Sequence, residues 1–495
     1  MRRFLLLSCA ALLCAEAAIA AEAARPNVLL ITSEDNGPDI GCYGDTFART
    51  PNLDRLAGQG VRFERAFVVT ASCSESRGGI LTGLYPHQSG QIGLATHRYH
   101  MYRDDTPNLA SLLKAHGYRT GLIGKLHINP ASAFPFDFRP KVTEFNSFSR
   151  RDVRRVADAA REFFTASDAP FFLMVNYSDA HLPFLRQQAG LPESPLSADD
   201  VRPLPWVGLD TPALRQSTAD YYNCLARLDT GVGWLLEALE ATGKDDDTLV
   251  IYLGDHGAQF PRGKLASYES SLRVPLIVRW PGVTQAGVRE QLVSTVDLLP
   301  TILEATAAPH SDKASAAALP GRSLLPLLQD EPTAWRDHLM TEYHGHYPLL
   351  YFPQRTVRDD RYKLIVNLLQ DRPNPVAAAC TSQAQVSYVS REDVAAGSPP
   401  VRQAYATWSS APPVELYDLE RDPHERRNLA DDPSLAVVKM RLLDHLRAWQ
   451  AATNDPLADA EKLRRLTAEH DAIPRPYRRD ADFQWRYSDY LAPAP

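Results

Sequence analysis

Short apolar runs alternate with helical patterns through the first two thirds of the chain, and this alternation constrains the fold more than any other feature. Five runs have the length and composition of buried strands, and three longer segments have the apolar spacing of helices. The predicted strands cover residues 28–32, 120–124, 171–177, 249–254 and 275–280, and the predicted helices cover residues 108–116, 153–166 and 212–241. The pattern predicts an α/β fold, with a large mixed, mostly parallel sheet sandwiched by helices.

The pattern changes after Trp335. We predict an edge strand at 338–343, a hairpin that turns at Asp359 and Asp360, and a strand at 415–418. A long loop is expected at 371–413, because that stretch is rich in Pro, Ala and Ser, and a helix is expected at 435–453. A chain of 495 residues is long enough for two cores. We therefore predict a larger domain at residues 25–350 and a smaller C-terminal domain, an antiparallel sheet plus a helix, at residues 351–495.

The first 20 residues have the composition of a signal peptide. A basic start at Arg2 precedes an apolar stretch and an A-x-A site at residues 18–20, and Glu16 interrupts the stretch that a membrane anchor would need. The sequence therefore predicts an exported protein, periplasmic or secreted, without a membrane span. A formal net charge of -7 argues against a nucleic-acid partner. An anionic sugar remains open, because it needs only a local positive pocket.

Polar side chains follow four of the predicted strands, each at the point where the strand ends. In open α/β sheets, ligands bind beyond the carboxyl ends of the strands. We therefore expect these side chains to form one site. In chain order they are Glu34 and Asp35, Lys125 and His127, His181, and Asp255 and His256.

Glu34, Asp35 and Asp255 would place three carboxylates together, and without a cation each would raise the pKa of the others. A hard divalent ion relieves this repulsion, and calcium accepts several oxygen ligands at flexible geometry. Any one of these acids would by itself be as well explained as a helix cap or a solvated loop residue. Imidazole suits softer metals, so His256 either binds the ion or orients a neighbour.

Cys73 precedes a predicted helix that begins near Ser76. A helix N-terminus stabilises anions and lowers the pKa of a thiol, so a plain cysteine nucleophile is one interpretation. The sequence lacks the Cys-His-Asn order of such enzymes. Arg77, one turn further on, would hold an oxyanion or form a surface salt bridge. Lys125 and His127 stand two apart on a predicted extended segment, which would place both on one face.

Several motifs resemble those of the type I sulfatases of the alkaline-phosphatase superfamily. They are residues 50–54 (TPNLD), 73–83 and 124–127. Within that superfamily, five further stretches resemble the sulfamidase branch, the N-sulfoglucosamine sulfohydrolases, and the similarity extends from about residue 25 to the C-terminal helix. These stretches are residues 135–138, 227–233, 260–264, 415–418 and 421–425. The resemblance implies an alkaline-phosphatase-like fold and makes a homodimer an expectation.

The resemblance also implies the chemistry of the site. A formylglycine-generating maturation enzyme would oxidise Cys73 to formylglycine, whose hydrated aldehyde attacks sulfur. One Ca²⁺ would be held by Glu34, Asp35, Asp255, His256 and the converted Cys73. Arg77 and Lys125 would hold the hydrate, and His127 would be the base that releases sulfate. His181 and Lys264 would bind the sulfate and assist the leaving group. Two histidines of the loop after Glu342 are further candidates for sugar contacts, namely His344 and His346.

This chain departs from the family pattern at four positions. Glu75 stands where Pro or Ala is usual, Glu34 replaces an Asp, and His256 and Lys264 stand where the sulfamidases carry Asn and Arg. The last two residues are common in other sulfatases. The leading hypothesis is hydrolysis of sulfate from N-sulfoglucosamine of heparan-type glycans. The alternatives are an O-sulfatase or phosphoester hydrolase of the same fold, and a non-catalytic protein that binds sulfated glycans if Cys73 is not converted.

Overall fold

The computed structural model describes residues 25–144, 146–309, 319–382, 388–479 and 483–493. The predicted signal peptide lies outside these residues. Among the helices of the described ranges, none is both long enough and apolar enough to cross a membrane. Cys42, Cys73, Cys224 and Cys380 are all free thiols.

A seven-stranded sheet forms the centre of the molecule, in the order β3-β4-β1-β5-β6-β2-β7. Strand β6 runs antiparallel to both of its neighbours, and the other pairs are parallel. This confirms the prediction of a mixed, mostly parallel sheet. The strands are β1 (Asn27–Ser33), β2 (Val61–Phe67), β3 (Arg119–Ile123), β4 (Phe171–Tyr177), β5 (Thr248–Gly254), β6 (Arg273–Arg279) and β7 (Gly287–Ser294).

Helices cover both faces of this sheet, as predicted. Successive side chains of a strand point to opposite faces. Leu29 and Ile31 of β1 accordingly join one core, while Val28 and Leu30 join the other. The helices of this part of the chain are α1 (Pro51–Gln59), α2 (Cys73–Thr82), α3 (Pro86–Ser89), α4 (Leu109–Ala115), α5 (Val153–Thr165), α6 (Pro212–Ala241), α7 (Glu269–Leu272), α8 (Leu298–Ala305) and α9 (Leu325–Leu328).

A second sheet of four antiparallel strands has the order β11-β10-β9-β8. Its hairpin turns at Asp359, whose Oδ1 accepts the backbone N–H groups of Arg361 and Tyr362, and this confirms the predicted turn. The strands are β8 (Leu339–Tyr343), β9 (Gln354–Arg358), β10 (Tyr362–Asn367) and β11 (Val414–Asp418). Because β8 precedes residue 350, the predicted boundary falls inside this sheet, and the division into two domains stays a prediction.

The loop predicted at 371–413 is wrong, because the described part of this stretch, 371–382 and 388–413, holds three helices. They are α10 (Pro375–Ser382), α11 (Arg391–Ala396) and α12 (Pro399–Ser409). Two of them begin with proline, which is tolerated in the first turn of a helix because the N–H group missing there has no partner in any case. The prolines therefore mark helix starts. The chain continues with α13 (Ala436–Thr453), as predicted, and then with α14 (Ala460–Asp471) and α15 (Ser488–Leu491).

Candidate active site

The strand ends of the large sheet bring the predicted clusters together. Strands β4, β1 and β5 are direct neighbours and β3 lies beside β4, so the residues that follow them meet at one edge. The backbone there is unusual: Asp35 has a φ of 54° and His127 a φ of 59°. Left-handed backbone costs energy in residues other than glycine, and such residues concentrate at functional sites.

Cys73 is the first residue of α2, and Ser72 is its N-cap. The predicted start near Ser76 is therefore wrong by about one turn, because Ser72 supplies the extended backbone that precedes a helix. Cys73 is 2% exposed, and its Sγ lies 3.4 Å from Nε2 of His256. Burial alone would raise the pKa of the thiol, but the charges of Lys125, Lys264 and His256 outweigh burial and hold it well below its usual value. The Cys73 position therefore favours a negatively charged group.

Asp255 links the two central strands to Arg77. Its Oδ1 accepts the backbone N–H of Asp35 at 2.9 Å, and its Oδ2 accepts Nη2 of Arg77 at 2.8 Å. Burial raises the pKa of Asp255, although His256 and Arg77 oppose this. A further positive charge beside this carboxylate would therefore stabilise its ionised form.

Glu34 is held by two neighbours. Nζ of Lys125 donates to its Oε2 at 2.7 Å, and Nδ2 of Asn176 donates to its Oε1 at 3.0 Å. Burial would raise the pKa of Glu34, but Lys125 and Arg77 outweigh burial and hold it well below the usual range. Arg77 also donates to the carbonyl of Lys125 at 2.9 Å and to Oδ1 of Asn176. The two cations predicted to hold the nucleophile are thus anchored to the carboxylate cluster.

The structure brings together donor groups that could hold a metal ion, and the predicted ligand Asp255 is not among them. Two overlapping sets have their ligand atoms within 4.8 Å of one another: Glu34, Cys73 and His181, and Asp35, Cys73 and His256. Nε2 of His256 lies 3.4 Å from Oδ1 of Asp35. Burial lowers the pKa of His256, but Asp255 and Asp35 outweigh burial and raise it to about 9. This imidazole therefore lies where positive charge is favoured.

His127 and His181 stand on the cavity side of this cluster. Nε2 of His127 lies 3.2 Å from Oγ1 of Thr96, and burial lowers the pKa of His127 although a hydrogen bond with Cys73 opposes this. The left-handed φ of His127 shows that the segment is not extended. The predicted extended backbone, which would have placed Lys125 and His127 on one face, is therefore wrong. Both side chains nevertheless line the same cavity.

Nδ1 of His181 donates to the carbonyl of Leu182 at 2.6 Å. A carbonyl only accepts, so the hydrogen is on Nδ1, and Nε2 lies 4.0 Å from Oδ2 of Asp35. The ring of Phe148 stacks on the imidazole with 4.2 Å between centroids. Burial lowers the pKa of His181.

A cavity of about 730 Å³ opens above Cys73. Its walls include Arg139, Lys141 and Arg479, together with four of the catalytic candidates, Cys73, Lys125, His127 and His181, whereas Arg77 and Lys264 are buried outside the lining. His346 lines the cavity, whereas His344 is buried behind it, with Nε2 3.2 Å from Nη2 of Arg355. The structure thus places His346 on the cavity wall and His344 in a buried polar network, and their predicted roles in substrate binding stay predictions.

Sequence reasoning missed several members of the site. Asn176 contacts both Glu34 and Arg77, and its signal was a polar residue inside the apolar run of β4. Thr96 belongs to a one-turn 3-10 helix, and Phe148 and Arg479 belong to loops, none of which has a recognisable sequence pattern. Asp179 is not one of these missed residues: with His181 it belongs to the polar cluster expected after β4, and it pairs with the buried Arg227 at 2.7 Å.

Comparisons with known proteins agree with this geometry. The family model described as Sulfatase matches residues 26–308, and the model described as N-sulphoglucosamine sulphohydrolase, C-terminal, matches residues 254–372. Human N-sulphoglucosamine sulphohydrolase is 36% identical, over 88% of this chain and 91% of that protein.

Solved structures share the fold at lower identity. One, a protein in complex with its substrate D-glucosamine-2-N,6-O-disulfate, has a TM-score of 0.63 and 20% identity, over 87% of this chain and 98% of its own. Phosphonate monoester hydrolase from Silicibacter pomeroyi has a TM-score of 0.61 and 21% identity, over 87% of this chain and 96% of its own. These likenesses show the fold alone. Together with the matched family models, the fold and the residues at the strand ends establish that the chain belongs to the sulfatase family of enzymes.

Proposed function

We propose that this enzyme hydrolyses sulfate from N-sulfoglucosamine of heparan-type glycans, with one Ca²⁺ and a formylglycine made from Cys73. One observation carries the proposal: Cys73 begins a buried helix at the floor of the cavity, with Sγ 3.4 Å from His256 and inside both candidate metal-ligand sets. The similarity to human N-sulphoglucosamine sulphohydrolase supports the substrate.

The charges of the site suit an anionic substrate. Three buried carboxylates, Glu34, Asp35 and Asp255, are matched by three cations, Arg77, Lys125 and Lys264. A bound Ca²⁺, held by Glu34, Asp35, Asp255, His256 and the converted Cys73, would add positive charge to this balanced set. That excess would offset the charge of sulfate oxygens during the reaction.

The side chains of the chain would divide the remaining work. When formed, the formylglycine supplies a hydrated aldehyde as nucleophile towards sulfur, which divides one displacement into two steps. Arg77 and Lys125 would orient the group at position 73, and His127 would take its proton when sulfate is released. His181 and Lys264 would hold the sulfate and assist departure of the amine.

Turnover of three substrates tests the proposal. N-sulfoglucosamine, an aryl sulfate and an aryl phosphate would be compared at equal enzyme concentration. We expect the largest kcat/KM for N-sulfoglucosamine. A preference for the aryl sulfate would favour the O-sulfatase alternative, and cleavage of the phosphate alone would contradict the proposal.

Mass spectrometry of one tryptic peptide tests the maturation of Cys73. The peptide runs from Ala66 to Arg77, because Arg65 and Arg77 are the flanking cleavage sites. An aldehyde at position 73, in protein made in its own host, would support a formylglycine-generating partner. An intact thiol in every molecule would favour the non-catalytic glycan-binding alternative.

The proposed function extends to location and assembly. We propose export to the periplasm or beyond, on the basis of the signal-like residues 1–20. Sequencing the mature N-terminus would test this, since cleavage after Ala20 is expected. A homodimer is proposed from the family resemblance, and light scattering of the purified protein would measure it.

A further inference from the structure

Glu75 lies two residues after Cys73, at the position where the family resemblance leads us to expect Pro or Ala. The side chain is 2% exposed, and Oε2 accepts a hydrogen bond from Oγ of Ser72 at 2.7 Å. In the described part of the chain, the other oxygen, Oε1, is buried without a hydrogen-bond partner. A buried carboxyl group with a single partner destabilises the fold, so its presence calls for an explanation.

The hydroxyl of Ser72 connects this carboxyl group to the cavity. Its Oγ lies 2.9 Å from Nδ1 of His346, which is 274 residues away in sequence. His346 lines the same cavity as Cys73, Lys125 and His181. Glu75, Ser72 and His346 therefore form a hydrogen-bonded chain from the interior to the cavity wall.

We propose that Glu75 is a positioning residue, which acts through Ser72 to fix the ring orientation and the tautomer of His346, and that His346 contacts the substrate beside Cys73. This inference rests on the proposed function, because the substrate meant here is the sulfated sugar.

The hydroxyl group explains how the coupling works. A serine hydroxyl carries one hydrogen, so Ser72 can donate to Glu75 or to His346 but not to both. Its bond with Glu75 therefore decides whether Nδ1 of His346 is a donor or an acceptor. Since Nδ1 is engaged by Ser72, Nε2 is the ring nitrogen left for the substrate, and its protonation follows from that of Nδ1.

The backbone around His346 is fixed independently of the ring. The carbonyl of His346 accepts the N–H of Leu94 at 2.9 Å, and Oγ of Ser74 accepts the N–H of Ala95 at 2.9 Å. The loop that carries His346 is thus tied to the start of α2. The orientation of the imidazole ring is not fixed by these backbone contacts, and the hydrogen bond with Ser72 fixes it.

The first test measures the tautomer directly. Protein labelled with ¹⁵N-histidine would be studied by long-range ¹H–¹⁵N NMR. The signals of His346 would be assigned as those that are absent from the spectrum of the His346→Gln variant. We expect one tautomer in the wild type and a mixture or the other tautomer in Glu75→Ala. Glu75→Gln keeps a carbonyl acceptor for Ser72, so it should keep the wild-type signal. An unchanged tautomer in Glu75→Ala would overturn the proposal.

The second test is a double-mutant cycle in kcat/KM, per molecule of formylglycine counted by mass spectrometry. Glu75→Ala matches the usual family residue, so it should remain open to maturation, and its melting temperature would report whether it folds. We expect Glu75→Ala to lower kcat/KM about tenfold, and Glu75→Gln to retain activity within about threefold. In the His346→Gln background, Glu75→Ala should have no further effect, because interacting residues are not additive.

If Glu75→Ala lowers kcat/KM by the same factor in the wild-type and His346→Gln backgrounds, Glu75 does not act through His346 and the proposal is overturned. The cycle would be run on N-sulfoglucosamine and on an aryl sulfate in parallel. If the wild type cleaves only the aryl sulfate, the proposed substrate is wrong, while the cycle on the aryl sulfate still decides whether Glu75 acts through His346.

Discussion

Nζ of Lys264 lies 2.9 Å from both carboxylate oxygens of Asp35. Both side chains are buried, and Lys264 reaches Asp35 from the loop that follows β5. Burial would lower the pKa of this lysine, but Asp35 and the Cys73 position outweigh burial and raise it, so Lys264 is charged. A single lysine thus neutralises a candidate metal ligand and presents its charge beside the position of the nucleophile.

Replacing Lys264 by methionine should lower kcat/KM at least about 100-fold, because it removes a charge proposed to hold the sulfate and leaves Asp35 without its buried partner. Lys264→Arg keeps the charge, and the family resemblance leads us to expect Arg at this position. The kcat/KM of this variant should therefore stay within about tenfold of the wild type. Steady-state kinetics of both variants would measure this. A methionine variant within threefold of the wild type would contradict the assigned role.

If the proposed Ca²⁺ is bound, its removal should lower the melting temperature as well as activity. A ligand that binds only the folded state stabilises it by about 2.7 kcal/mol at 100 times its Kd. We expect dialysis against a chelator to lower Tm and added Ca²⁺ to restore it. Asp255→Asn is the matched control, and it should show little or no shift with Ca²⁺. Restoration by Zn²⁺ but not by Ca²⁺ would show that His256 selects a softer metal.

Gly124 should not tolerate a side chain. Its φ is +115°, and an added Cβ would lie 2.5 Å from the backbone oxygen of Asn176. Because that oxygen belongs to backbone, Gly124→Ala should destabilise the fold by about 3 kcal/mol and displace Lys125. Gly243→Ala is the control: its φ is +68° and nothing lies within 4 Å, so backbone strain alone should cost about 1 kcal/mol. Urea unfolding would give the free energy of unfolding of both variants. Equal losses of this free energy would contradict a steric clash at Gly124.

Arg479 and Arg139 on the cavity wall should recognise substrates that carry more than one negative charge. Neither has an acidic partner at salt-bridge distance among the residues that the structure describes. Arg479→Ala should raise KM for a multiply sulfated oligosaccharide about three- to tenfold and weaken its salt dependence. KM for a monosulfated aryl substrate should change less than twofold. Arg427, an exposed arginine that is not on this wall, is the control, and an equal effect of Arg427→Ala would show that net charge alone is responsible.

Asp39 should make stability depend on pH. Burial, reinforced by Asp45, raises its pKa from 3.8 to about 7, although Tyr221 donates a hydrogen bond to it. Between these values the folded state binds more protons than the unfolded state, so the free energy of unfolding should fall as pH rises from about 4 to 7. The expected contribution is about 4 kcal/mol.

Asp39→Asn keeps an oxygen for Tyr221 and does not titrate. Urea unfolding between pH 4 and pH 8 should therefore show a flatter profile for this variant than for the wild type. Tyr221→Phe, which keeps Asp39, should retain the slope. Parallel profiles for the wild type and Asp39→Asn would contradict the raised pKa.

The strands that can be predicted best from the sequence are those that are buried on both faces. Strands β1, β4 and β5 are buried almost throughout, so their apolar runs stand out in the sequence. Strands β2 and β7 were missed, because charged residues such as Arg62 and Glu64 alternate with apolar ones where the sheet is partly exposed. Position at a strand end was enough to find most of the site.

The remainder of the site depends on contacts that sequence separation hides. No local pattern shows that Ser72 meets His346, or that Asn176 touches both Glu34 and Arg77. The same limit applies to His344, which shares its loop with His346 but pairs with Arg355 away from the cavity. Tertiary packing decides which of two similar histidines reaches the cavity.

The burial of Cys73 also sets an order of events in time. Only 2% of this residue is exposed once the chain has folded, and the side chains around it come from as far along the chain as His346. The proposed maturation enzyme would therefore have to meet Cys73 before those later segments close over it. At about 5–20 residues per second, the roughly 270 residues from Cys73 to His346 take on the order of tens of seconds to synthesise. If Cys73 is converted as proposed, the yield of active enzyme would depend on how fast Cys73 is modified relative to the synthesis and folding of the later segments.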